Sequence, residues 1–357
     1  MTTNHNHYLD LAFQLAKKNL GKTGLNPTVG SLVVKNNTVI SSAVTSINGR
    51  PHSEFNALNK VKNISGATLY TTLEPCTHLG KTPPCVNIIL KKKIKNVYYA
   101  FEDPDIRTFK KAKKFLISRG IKARLIKSKK HKNFYKSYII NKKKGVPYIA
   151  AKIAMSKDYL TINKKNKWIT NDKSRKIVHL LRSEHDSIMS TSKSINLDNS
   201  LLNCRIEGLN YYKPDLFIID LNLKLKKKLL LNKILKKRKT YLITKKSNDK
   251  KTIFYKKLGY KIILVNSLEN KQDLFLLFAK IYKLGYSRIF VEAGLNFLNT
   301  LLRNKIIKDL YIFISGRKLG KNGKNNGSLK YFKKFLTKKT TINLNDDKLY
   351  KKEFKNV

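Results

Sequence analysis

Pro51-His52-Ser53-Glu54 opens, and Leu73-Glu74-Pro75-Cys76-Thr77-His78-Leu79-Gly80-Lys81-Thr82-Pro83-Pro84-Cys85 closes, the stretch around which this chain is organised. One histidine and two cysteines, His52, Cys76 and Cys85, are the donor set of a zinc centre that keeps its fourth position open for water. Glu54, two residues after the histidine, stands where a hydrolytic deaminase keeps its proton shuttle. Water on such a centre ionises near neutral pH. It can then attack an amino-bearing ring carbon while Glu54, itself not a zinc ligand, carries protons to the ring and the departing amine. Pro83-Pro84 suits a helix start. That places Cys85 in the first turn of a helix running through Lys93, where a thiolate is favoured. The alternative is a closed structural zinc site, which needs a fourth protein ligand. His78 is the candidate for it, and in that case Glu54→Gln would leave deamination intact.

Upstream, Leu11 and Leu15, with Ala12 and Ala16, lie four apart, the spacing of an amphipathic helix over 8–20 that Gly21 stops. Asn26-Pro27-Thr28-Val29-Gly30 is a turn into a strand at 31–34, and Asn36-Asn37 turns the chain into a second strand at 38–40. A helix from His52 to Lys60 and a buried strand from Ala67 to Leu73 follow. Strands at 96–101 and 121–126 flank a helix over 107–119. This α-β-β-α-β-α-β-α-β order makes a sheet covered by helices. A lysine run and Gly145 then precede Pro147, where the pattern starts afresh, so the expected domains are 1–145 and 146–357. In the second, which opens on the apolar run Tyr148 to Ala154, strands at 186–190, 215–220, 240–244, 261–265, 288–292 and 309–314 alternate with helices, clearest at 171–182, 273–284 and 295–304. Residues 320–327, Gly-Lys-Asn-Gly-Lys-Asn-Asn-Gly, read as a flexible loop. No internal repeat relates the two halves.

A length of 357 residues, 41% of them hydrophobic, suits two domains with a core each. The net charge of +54 would ordinarily point to a polyanion partner. The basic runs at 91–93, 142–144, 226–228 and 236–239 are spread over both halves, however, and come with abundant Asn and Ile. The reading is a broadly basic, solvated surface that attracts phosphorylated substrates at long range, with nucleic acid not expected. Two of the three cysteines lie in the motif, so reduced thiols and a cytoplasmic location are expected rather than a disulfide framework. The polar N-terminus lacks an apolar signal core, and no stretch approaches the ~20 apolar residues of a membrane span.

The stretch from Asn26 to Cys85 resembles the cytidine-deaminase superfamily. Within it, the eight residues between the cysteines set the chain apart from the Pro-Cys-x-x-Cys of nucleoside and tRNA deaminases. That insertion is similar to the deaminase half of the bifunctional riboflavin-biosynthesis deaminase/reductase family. The resemblance implies substrate contacts at Asn26, His78, Lys81 and Asp103, the last opening the family's Asp-Pro-Asn. Two positions depart from it: Thr45 stands where many members have a substrate-contacting histidine, and Asp105 replaces the Asn.

Residues 147–357 resemble the same family's reductase domain, in chain order. Lys152-Ile153-Ala154-Met155-Ser156-Lys157-Asp158 answers Lys-x-x-x-Ser-x-Asp-Gly, with Tyr159 in place of the Gly. Trp168-Ile169-Thr170, Leu181-Arg182, the segment from Ser194 to Arg205, and Glu292-Ala293-Gly294 answer its later motifs. Asn199-Ser200 replace an Asp-Pro, and Ala293 replaces the first Gly of a pair. The resemblance implies substrate contacts at Asn166, Arg182, Arg205 and Glu292, the arginines gripping a ribose phosphate. It implies nicotinamide-nucleotide contacts at Met155, Trp168, Ser194, Asp198, Gly294, Leu295 and Asn296, with the pyrophosphate on backbone N–H groups at the last three.

The implied architecture is α/β: an N-terminal cytidine-deaminase-like three-layer α/β/α domain, then a dihydrofolate-reductase-like α/β domain. The implied cofactors are one Zn2+ per chain and NADPH. The implied partners are a phosphorylated pyrimidine and further copies of the chain, as dimer or tetramer. Two alternatives stay open at this level: a deaminase whose second half serves assembly, and a zinc deaminase acting on RNA.

Overall fold

Alternation along the strands builds the first unit. In β1 (Gly30–Lys35) Leu32 and Val34 enter one core and Val33 the other. In β3 (Thr68–Thr71) Leu69 and Tyr70 part the same way, as do Val97 and Tyr98 in β4 (Asn96–Tyr99). A period of two on strands buried on both faces calls for helices on both sides. Helices α2 (Ser53–Asn59), α3 (Cys85–Lys91) and α4 (Lys111–Ile117) cover one side. Helices α1 (His5–Lys17) and α5 (Lys136–Lys144) cover the other. With β2 (Thr38–Val44) and β5 (Lys122–Leu125) the sheet order is β2-β1-β3-β4-β5. Strand β1 is antiparallel to β2 and β3, while β3, β4 and β5 run parallel.

The computed structural model describes residues 4–166, 168–209, 213–245, 250–336 and 340–354. The chain divides into two compact units, Met1–Gly145 and Val146–Val357.

Among the described residues, the second unit is built on a sheet of nine strands. These are β6 (Tyr148–Met155), β8 (Ser187–Thr191), β9 (Asp215–Ile219), β10 (Thr240–Thr244), β11 (Lys261–Leu264), β12 (Arg288–Glu292), β13 (Asp309–Ile314), β15 (Ile342–Leu344) and β16 (Asp347–Glu353), in the order β11-β10-β9-β8-β12-β6-β13-β16-β15. The run from β11 to β13 is parallel, and β16 and β15 close the edge antiparallel. Helices α9 (Lys271–Lys283), α10 (Leu295–Arg303) and α11 (Lys330–Leu336) pack on one core. Helices α7 (Ser192–Asp198) and α8 (Lys250–Leu258) pack on the other. Helix α6 (Asp172–Ser183) begins at Asn171, whose side chain accepts from Ser174 N–H.

Residues 320–327 differ from the expected free loop. Two of them form β14 (Gly323–Lys324), paired antiparallel with β7 (Ile162–Asn163). Asn325 Oδ1 accepts from both the N–H and the hydroxyl of Thr161, each at 2.9 Å. The Gly, Asn and Lys composition lacks any apolar periodicity, so its order comes from a partner strand that the local sequence does not reveal. Among the described residues no helix is long and apolar enough to cross a membrane.

Candidate functional site

His52 caps α2 from the β region, which puts Ser53 and Glu54 in the helix's first turn. Cys76 follows β3, and Cys85 opens α3. The imidazole Nδ1 of His52 lies 3.6 Å from Cys76 Sγ and 3.4 Å from Cys85 Sγ, and the three donor atoms lie within 4.8 Å of one another. Tetrahedral zinc, at about 2.0–2.1 Å from nitrogen and about 2.3 Å from sulfur, sets such donors about 3.5 Å apart. The residues present fit that ion. His78, the fourth ligand a closed site would need, is outside this group; its Nδ1 lies 3.0 Å from Thr108 Oγ1.

The two sulfurs do not ionise alike. A hydrogen bond from the Cys85 thiol holds Cys76 down to about 4, against the effect of burial and with help from His52. Donating that bond, together with burial and the nearby Glu54, pushes Cys85 well above the thiol range. The helix start alone had suggested Cys85 as the easier thiolate; packing gives that role to Cys76, which also accepts from Cys85 N–H at 3.2 Å. A cation held by both sulfurs would take the place of the proton they share.

Glu54 is buried, and burial pushes its carboxyl up. A chain of buried hydroxyls reaches it: Ser31 Oγ donates to Thr71 Oγ1 at 3.2 Å, Ser31 and Ser53 share a hydrogen bond of 2.8 Å, and Ser53 Oγ donates to Glu54 Oε2 at 3.0 Å. Asn26 Nδ2 donates to Gly49 O at 3.3 Å. Lys81 is exposed on the insertion. Asp103 is buried; burial pushes its carboxyl up to about 6, although it accepts from Asp105 N–H and the Tyr138 hydroxyl. Thr45 is buried at the end of β2, its hydroxyl accepting from Val29 N–H at 2.9 Å.

Sequence reasoning passed over Glu74. Its buried carboxylate accepts from Asp103, Lys110 and Ala112 N–H groups at 3.0–3.2 Å, holding the loop on which Asp103 and Thr108 sit. The signal was a glutamate directly after a buried strand.

In the second unit, β8, β12 and β6 are neighbours, and their carboxyl ends bring several expected residues together. Open parallel sheets bind ligands at those ends. Met155 ends β6, Ser194 lies in the first turn of α7 directly after β8, and Glu292 ends β12 before Gly294, Leu295 and Asn296. Gly294 caps α10, and the Asn326 amide packs against it, 2.7 Å from where a Cβ would lie, so a side chain there would have to displace that amide. This close-packed turn at a helix start fits a pyrophosphate on backbone N–H groups.

Glu292 and Arg182 form a buried bidentate pair: Nε donates to Oε1 at 2.5 Å and Nη2 to Oε2 at 3.0 Å. Arg182 Nη1 also donates to Asn203 O at 2.8 Å. Burial acts to raise the Glu292 carboxyl, but Arg182 and Lys152 outweigh it and hold it at about 2. Arg182 is thus a partner of Glu292 first, with only its remaining N–H groups left for a ligand. Arg205 is exposed, its Nη1 on Asn203 Oδ1 at 2.7 Å. Asn166 and Trp168 are exposed on the 164–170 stretch, Arg175 lying over the Trp168 ring, and Asp198 is exposed at the end of α7. Lys152, 3.5 Å from Glu292, was not among the expected contacts. A lysine inside the otherwise apolar Tyr148–Met155 strand was the available signal.

A zinc deaminase domain joined to a nicotinamide-dependent reductase domain is the class these two sites define. Comparison with known proteins agrees. Residues 2–101 match the cytidine and deoxycytidylate deaminase zinc-binding region, and residues 147–350 match the RibD C-terminal domain. The riboflavin biosynthesis protein RibD of Aquifex aeolicus is 32% identical over 323 residues, 88% of this chain and 87% of its own. That of Buchnera aphidicola is 32% identical over 346 residues, 89% and 88%. The structure of a diaminohydroxyphosphoribosylaminopyrimidine deaminase/5-amino-6-(5-phosphoribosylamino)uracil reductase from Thermotoga maritima superimposes with a TM-score of 0.82 at 25% identity, covering 97% of each chain. The chain belongs to the RibD family of bifunctional riboflavin-biosynthesis enzymes. Its first domain is cytidine-deaminase-like and its second dihydrofolate-reductase-like.

Proposed function

We propose that the chain hydrolyses the 2-amino group of 2,5-diamino-6-(ribosylamino)-4(3H)-pyrimidinone 5′-phosphate, and then reduces the ribosyl chain of the product to ribityl with NADPH. The observation that carries this reading is one chain holding both the His52–Cys76–Cys85 triangle and a second domain of the RibD type. Zinc held by those three residues would supply a Lewis acid that lowers the pKa of a water it binds toward neutral. Glu54, desolvated and held by Ser53, takes one proton from the attacking water to the ring nitrogen as the C–O bond forms, and then carries the hydroxyl proton of the tetrahedral adduct to the amino group, which leaves as ammonia as the carbonyl forms. Asn26 and Asp103 orient the pyrimidine, while His78 and Lys81 hold the phosphorylated end.

In the second domain Glu292 fixes the substrate's polar groups, Arg182 and Lys152 keep that carboxylate ionised and in place, and Arg205 and Asn166 reach the phosphate end. NADPH supplies the hydride; Met155, Trp168, Ser194, Asp198, Gly294, Leu295 and Asn296 are the residues that would hold it. We infer further that the enzyme works in the cytoplasm with its three cysteines, Cys76, Cys85 and Cys204, unpaired, that it assembles with copies of itself, and that nucleic acid is not its partner.

The test is a coupled assay on the full chain with zinc. Ammonia should be released from the diaminopyrimidine nucleotide without NADPH, and NADPH oxidation should require the deaminated product. Ammonia release without any NADPH oxidation would leave a deaminase alone. Activity on a tRNA anticodon instead of the nucleotide would overturn the substrate assignment.

A further inference from the structure

Four cations gather at the loop between the zinc cysteines, and they are not equivalent. Arg107, although 55% exposed at its side chain, is bound bidentately by Asp105, with Nε to Oδ1 at 2.9 Å and Nη2 to Oδ2 at 2.6 Å. Lys142 reaches the same carboxylate at 2.9 Å. Asp105, which stands where the family pattern has a neutral Asn, therefore engages both and offsets one of their two charges. Its loop lies against the insertion, since Thr77 Oγ1 donates to Arg107 O at 3.2 Å and His78 meets Thr108. Lys81 and Arg50 remain, and neither forms an ion pair among the described residues.

Arg50 comes from outside the insertion, two residues before His52. Its Nη1 donates to Thr82 Oγ1. Its Nη2 lies 3.2 Å from where a Gly80 Cβ would be, and the His78 ring is 4.0 Å from the same point. The guanidinium thus sits against Gly80 through its Nη2 end, beside the His78 ring, with further N–H groups available. Thr45, at the position where a substrate-contacting histidine is expected, is turned inward onto Val29 and reaches nothing outside.

We infer that Arg50 is the residue of this deaminase site that reads the phosphate, selecting the phosphorylated pyrimidine over its unphosphorylated nucleoside, with Lys81 as second cation. The inference rests on the deaminase reading proposed above. A guanidinium seated on a glycine and steadied by a threonine hydroxyl presents a planar fork to phosphate oxygens. Lys81, on an exposed flexible stem, adds charge without that geometry.

The experiment uses the full zinc-loaded chain, Arg50→Gln and Arg50→Lys, with the diaminopyrimidine nucleotide and the nucleoside lacking its phosphate. Losing a charged hydrogen-bond donor should lower kcat/KM for the nucleotide by roughly tenfold or more, mainly through KM, and leave the nucleoside within about twofold. Inorganic phosphate should inhibit wild type competitively and Arg50→Gln roughly tenfold more weakly. Equal losses on both substrates, or none on either, overturn the inference; equal losses would mean that Arg50 only props the loop. If Arg50→Gln fails to fold or to hold zinc, Arg50→Lys decides: an unchanged phosphate inhibition constant and an unchanged preference for the nucleotide overturn it. Wild type inactive on both substrates would instead remove the deaminase reading, and this inference with it.

Discussion

Replacing Arg182 by Met should unsettle the second unit before it touches any ligand. Arg182 and Glu292 are 9% and 7% exposed, and their two hydrogen bonds join α6 to the end of β12. A carboxyl held from 4.5 down to about 2 corresponds to about 3 kcal/mol of favourable interaction, net of burial. Breaking a buried pair from one side costs about 3–5 kcal/mol, because the surviving charge stays buried. Lys152 at 3.5 Å keeps part of the compensation, so the expected loss for Arg182→Met is about 3 kcal/mol. The sign with pH follows from a depressed pKa. The pair's contribution is fully present above about 4.5 and is lost as pH falls toward about 2, and the variant should lack that dependence. Urea unfolding at pH 7, read by hydrogen exchange in peptides covering 172–183 and 288–292, measures the cost, with deaminase activity as internal control. The double variant Arg182→Met with Glu292→Met removes the stranded carboxylate and should recover at least half of the loss. A single-variant cost below about 1 kcal/mol, or a double variant no better than the single, would refute the pair as a structural element. It would return Arg182 to a role in ligand binding alone.

Three other outcomes are expected. Glu54→Gln should lower ammonia release by about two to four orders of magnitude while zinc, measured by elemental mass spectrometry, stays near one per chain; retained deamination would mean a structural metal. Asp103→Asn should raise stability at pH 7–8 by at most about 3 kcal/mol while lowering deaminase activity. A carboxyl raised to about 6 makes the native state weaker as pH rises from about 3.8 to about 6, and pH-dependent denaturation should show that slope flattened in the variant. Tyr159→Gly should raise the thermal midpoint of the second unit. Relief of the left-handed backbone, about 1–2 kcal/mol, exceeds the extra chain entropy of glycine, about 0.5–1 kcal/mol.

How legible all this was in the sequence depended on the range of the interaction concerned. The gathering of His52, Cys76 and Cys85 could be read because each follows a local signal: Pro51 before a helix, the end of a buried strand, and Pro83-Pro84 before another helix. The strands from Asp186 to Ile314 could be read because burial on both faces leaves short apolar runs rich in Ile, Leu and Phe. Helix α5 was not, since Lys136–Lys144 buries little beyond Ser137, Tyr138 and Asn141 and carries its charge all round. Strand β15 was missed because it is only three residues long, and β16 because its Asp-Lys-Leu-Tyr-Lys-Lys-Glu is mostly charged. The Arg182–Glu292 pair spans 110 positions, and no local pattern announces such a contact. Asp105 could be seen as a departure, but its effect on Arg107 and Lys142 needed the fold.

The departures in the second half bear on whether its backbone can still do what the family pattern requires, and they divide by conformation. Tyr159, in place of a glycine, takes φ +61°, so the position does demand the left-handed region. The turn keeps that conformation because Asp158 anchors it, accepting from Leu319 and Gly320 N–H groups and from the Ser156 hydroxyl. Asn199, at φ +43°, is a residue type that visits this region readily. Ala293 is not among the left-handed residues, and it packs against the core below α10. The glycine most closely packed in the turn is the next one, Gly294, where a Cβ would have to displace the Asn326 amide. Substitution at 159 therefore costs stability and leaves geometry in place, while substitution at 293 costs neither, and the nucleotide turn keeps the shape that its proposed role needs.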